Sequence, residues 1–112
     1  MKEVAPDIDF ADSSYKSCEM SNEQLSVYLE SWDEKKIKIT FYNVLSFKYQ
    51  LDYVVLGVYE KGDEELILNE ALASYYEKIP ESHPFKVFVI RDINDTDFLK
   101  VVAEKVSITK ES

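Results

Sequence analysis

Apolar and polar residues alternate most cleanly between Gln24 and Phe47, QLSVYLESWDEKKIKITFYNVLSF. Leu25, Val27 and Leu29 fall on one side of a first strand and Ile37, Ile39 and Phe41 on one side of a second. Ser26, Tyr28, Glu30, Lys36, Lys38, Thr40 and Tyr42 fall on the other. A period of two predicts a β-hairpin with one apolar and one amphipathic face. A three-residue loop of Asp33, Glu34 and Lys35 sets Val27 opposite Phe41 and Leu29 opposite Ile39. Across the other face it sets Tyr28 against Thr40, Glu30 against Lys38 and Trp32 against Lys36. A slip of one residue would oppose apolar to polar side chains throughout, so this is the expected register.

The flanking segments are read in the same way. Residues 1–13 form an extended lead-in, with Pro6 breaking any helix and Val4, Ile8 and Phe10 free to dock on the body. Ser14 to Met20 predicts a first strand and Tyr53 to Glu60 another, the latter buried on both faces because Val54, Val55, Leu56 and Val58 occupy both phases. Between them, Val44 to Asp52 fits a strand extension, a bulge or a short loop. Leu68, Ala71, Leu72, Tyr75 and Ile79 recur at helical spacing and predict one helix, capped by Asp63 or Asn69 and stopped by Pro80. Phe85 to Arg91 and Phe98 to Ile108 complete the strands of a single domain over 14–108, and 109–112 is expected to fray.

The fold class that follows is α+β: a mostly antiparallel sheet of about five or six strands with one helix packed on one face. The hairpin is expected to give the helix much of its seat, leaving its second face open.

Charge narrows the function. With 22 acidic against 13 basic residues the net charge is −9, which disfavours nucleic acid and anionic membranes and favours a basic protein partner. The single cysteine, Cys18, permits no intrachain disulfide, and no run is long enough to span a bilayer, so a cytoplasmic protein is expected.

Catalytic motifs are poorly supplied. His83 is the only histidine and sits in the linker PESHP, with no sequence cue that brings it to Cys18. Two glycines in the whole chain make phosphate cradles hard to build. Asp92, Asn94, Asp95 and Asp97 form a dense acidic loop, but an EF-hand count from Asp92 meets Asp97 where glycine is needed and Ala103 where glutamate is needed. No cofactor, metal site or enzymatic activity is expected. The amphipathic hairpin face is the better candidate, with Tyr28, Glu30, Trp32, Asp33, Lys38 and Tyr42 as partner-binding residues, because aromatics edged by charge give large contact area at low entropic cost.

The segment LSVYLESWDEKKIKITFYNVLSF, with IPESHPFKVF and VVAEKV further on, resembles small acidic single-domain bacterial proteins of the immunity type that accompany toxins. That resemblance implies an acidic cytoplasmic protein that binds and blocks a partner and supplies no catalytic residues; with the charge and the aromatic face it gives the expectation of a non-enzymatic, immunity-type inhibitor of a basic toxin or nuclease. The alternative is a structural protein, such as a homodimer, pairing through its open sheet face or a strand edge.

Overall fold

The structure is a computed structural model and describes residues 2–10, 12–49, 54–62, 66–92, 94 and 96–111, with Val54 and Leu56 described by their backbone alone. The elements are β1 (Lys2–Glu3), β2 (Ser13–Ser21), β3 (Gln24–Glu30), β4 (Lys36–Tyr42), β5 (Ser46–Tyr49), β6 (Val54–Lys61), α1 (Leu66–Tyr75), β7 (Lys86–Asp92), β8 (Asp97–Ala103) and β9 (Lys105–Lys110). Among the described residues this is an α+β fold with antiparallel strand pairing. The strand order is β5-β8-β7-β6-β2-β3-β4-β9, with β1 on β6.

That continuous order folds on itself as two sheets, one of five strands (β5, β8, β7, β6, β1) and one of four (β2, β3, β4, β9). Only Ser13↔Val55 and Ser14↔Val54 join them along β2 and β6. The chain passes from one sheet to the other between β1 and β2, and crosses twice more, at Asn43 and at Glu104. Asn43 takes a left-handed φ of 54°, which asparagine tolerates, and the turn lets Val44 N–H reach Glu23 O (2.8 Å) and Leu45 N–H reach Val102 O (2.8 Å). At the other crossing Glu104 N–H donates to Tyr42 O (3.0 Å) and its carboxylate accepts from Asn43 Nδ2 (2.6 Å), so the two corners are tied together.

Two cores result. The hairpin's apolar face, Leu25, Val27, Leu29, Ile37, Ile39 and Phe41, packs against Val55, Val58, Phe88, Ile90, Leu99 and Val101 of the five-stranded sheet. On that sheet's opposite face Val87, Val89 and Val102 receive Ile67, Leu68, Ala71 and Leu72 of α1, with Phe85. β7 therefore alternates between the two cores, as its double apolar phase implies. The hairpin is not the helix's seat: its apolar face is covered by the second sheet and α1 lies beyond. Val4, Ile8 and Phe10 dock against the inter-sheet core, and Val4 N–H bonds Val58 O (2.9 Å).

Four local expectations change. The helix ends at Tyr75, a turn before Pro80, so Tyr75 and Ile79 are exposed while Ile67 joins the buried stripe. Asn69 lies inside α1 and caps nothing, and Asp63 lies outside the described residues. Thr109 and Lys110 belong to β9, held by their pairing with β4. The expected strand over 98–108 breaks at Glu104, because its two halves serve different sheets. No helix among the described residues is long and apolar enough to cross a membrane.

Candidate protein-binding face

The hairpin loop has the expected length and sits one residue earlier. Ser31 N–H donates to Lys35 O (2.9 Å) and Glu34 N–H to Ser31 O (3.0 Å), closing a loop of Trp32, Asp33 and Glu34 in which Glu34 takes the left-handed φ of 62°. Ser31 selects this position. Its buried Oγ accepts Lys35 N–H (3.1 Å) and donates to Asp33 Oδ1, which holds the Asp33 carboxyl below the usual carboxylate range, with Lys110 and Lys35 adding to the effect. The pairing therefore moves by two: Val27↔Ile39, Tyr28↔Lys38, Leu29↔Ile37 and Glu30↔Lys36. A shift of two leaves every side chain on its face, so the amphipathic face survives with new neighbours. Replacing Ser31 by alanine removes these bonds and the Oγ contact with Lys35 O (3.3 Å), and urea denaturation is expected to show a loss of about 1 kcal/mol.

Trp32 is consequently not a sheet residue. It stands at the loop tip, 67% exposed. Asp33 is a turn residue whose carboxylate is used by Ser31. Tyr28, Glu30 and Lys38 do meet on the outer face of the four-stranded sheet, with Lys38 Nζ 5.8 Å from the Tyr28 ring centroid and the Glu30 carboxylate 3.9 Å from Lys16 Nζ. Tyr42 is at the far end of β4, about 13 Å along the strand from Lys38. There it lies under Lys105 (5.0 Å), which the sequence reading did not include.

The end of this face nearest the loop holds a cleft of about 580 Å³, walled by β2, β3, β4 and β9. Four lysines (Lys16, Lys36, Lys38, Lys110) and two glutamates (Glu30, Glu111) line it with Tyr28, so cations prevail here on a chain of net charge −9. Among the described residues no carboxylate lies within ion-pair distance of Lys36, Lys38 or Lys110. Lys16 and Lys110 were missed because their strands are far from the hairpin in sequence. Their signal is weak: each is a lysine in a short run of strand-forming residues.

Compared with known proteins, the chain matches no family model, no curated protein and no solved structure.

The other candidates have structural employment. His83 Nδ1 accepts Phe85 N–H (3.3 Å) and its ring stacks on Phe85, beside the helix-facing core. Cys18, half-buried, packs instead against the inter-sheet core, where burial first, and then Cys18 and Tyr49, push the Tyr15 phenol up from its ordinary pKa. In the acidic loop, Asp92 is buried and its Oδ1 accepts Asn94 N–H (2.8 Å) and Thr96 N–H (2.9 Å), which shapes the turn. Asp97 pairs with Lys61 (2.7 Å) and Arg91 (2.9 Å). Asp95 lies outside the described residues.

Proposed function

We propose that this protein is a non-enzymatic binding module, acting in the cytoplasm, that holds a partner protein on the outer face of its four-stranded sheet. The lysine-lined cleft beside Tyr28 carries this reading: an aromatic floor, walls from four strands, and more ammonium than carboxylate groups. Its charge revises the partner's chemistry. An acidic surface fits this face, and approach of carboxylates to Lys36 and Lys38 would hasten encounter.

A second reading keeps the immunity-type role against a basic toxin or nuclease. It is favoured by the net charge of −9, which must then act through carboxylate-rich surface away from the cleft. Affinity capture from a lysate of the source organism separates the two, using the native chain beside a Lys36→Glu/Lys38→Glu variant. Both lysines are exposed, so the fold is expected to persist. Loss of an acidic protein from the variant, with affinity at least about tenfold weaker, supports the first reading. A basic protein retained equally by both forms would overturn it in favour of the second.

A further inference from the structure

β9 ends the strand order, and its free edge is self-complementary. Glu111 N–H donates to Lys36 O (2.9 Å) and Lys36 N–H to Glu111 Oε1 (3.1 Å), which fixes the phase of the β4–β9 ladder. Hydrogen-bonded and non-bonded pairs alternate in an antiparallel ladder, so Lys105, Ser107 and Thr109 turn their backbone groups toward β4. Val106, Ile108 and Lys110 turn theirs away, where no strand follows among the described residues. Val106 and Ile108 also reach the inter-sheet core while staying half-exposed, so the core thins along this edge.

We propose that a second copy of this chain pairs with the edge, β9 against β9 in antiparallel sense, about a two-fold axis at Ile108. In that register Ile108 meets itself, Val106 meets the partner's Lys110, Ser107 meets the partner's Thr109, and Lys105 meets the partner's Glu111. The outward N–H and C=O groups of 106, 108 and 110 are all satisfied. Opposite charges face each other at both ends, hydroxyl side chains face each other inside them, and the half-exposed apolar residues lie at the centre. Shifting the register by two in either direction loses both Lys105–Glu111 pairs. The two outer faces then lie side by side on one continuous sheet.

Sedimentation velocity over a concentration series of the full chain tests it. The mass is expected to rise from one copy to two. Lys105→Glu and Glu111→Lys, both at exposed positions, are each expected to weaken association about tenfold by setting like charges opposite each other, while the backbone bond from Glu111 N–H to Lys36 O keeps β9 on β4. Combining them reverses the pair and is expected to restore association to within about threefold of native. Ile108→Pro removes an N–H that no bond within one copy uses and is expected to abolish association while far-UV circular dichroism is retained. A single-copy mass up to the solubility limit overturns the proposal. So does association that the single reversals leave unchanged or that the double reversal fails to restore, and this charge exchange decides the matter even if the proline variant unfolds.

Discussion

Replacing Phe41 by alanine is expected to lower the free energy of unfolding by about 4 kcal/mol, measured by chemical denaturation. Phe41 is fully buried between the two sheets, its ring centroid 5.8 Å from that of Phe88 on the opposing sheet. Leu25, Ile39 and Val101 belong to the same close-packed core, so a cavity there would refill only in part. Against a typical domain stability of about 5–15 kcal/mol, that loss brings the chain near its folding threshold. Trp32→Ala, at the exposed loop tip, is expected to change stability by less than about 0.5 kcal/mol. A loss at Phe41 below about 1.5 kcal/mol would mean that the hairpin's apolar face is not buried against a second sheet.

Asp97→Asn is expected to cost about 2–3 kcal/mol at neutral pH, because it takes away the carboxylate that Lys61 and Arg91 share. All three side chains are mostly buried, at 10% exposure for Asp97, 20% for Lys61 and 19% for Arg91. Burial alone would raise the Asp97 pKa. Hydrogen bonds and charge from Lys61 and Arg91 outweigh it, and the net effect holds the carboxyl below its ordinary range. A carboxyl depressed in the folded state stabilises above its unfolded pKa of about 3.9 and loses that contribution as pH falls through the lower folded value. The gap between native chain and variant should therefore be full at pH 7 and begin to close below about pH 4. A gap that persists unchanged into stronger acid would contradict the ion-pair origin.

Legibility in the sequence followed the range of the interactions. The two faces of the hairpin could be read because a period of two is indifferent to a register shift of two. The loop's position could not, since it depends on Ser31 Oγ reaching Lys35 N–H, a contact that alternation does not encode. The break at Glu104 left a trace. Leu99, Val101 and Ala103 share one phase and Val106 and Ile108 the other, yet all five meet the same inter-sheet core, so the change of parity marks where the chain changes sheet.

What covers the second apolar face of β7 was not legible, because a helix and a sheet make the same demand on that strand. At the site, Tyr28, Glu30 and Lys38 were found from local alternation. Lys16 and Lys105 reach the face, and Lys110 the cleft at its end, through long-range pairing, and Trp32 left the face when the loop moved by one residue.

The most direct test of the binding face is site-specific photo-crosslinking in living cells. A benzophenone amino acid is placed at Tyr28 in one form of the chain and at Tyr75, exposed on the helix side, in another. Adducts with another protein from position 28 and none from position 75 are expected. Adducts from position 75 alone, or from neither, would contradict the assignment of the outer face.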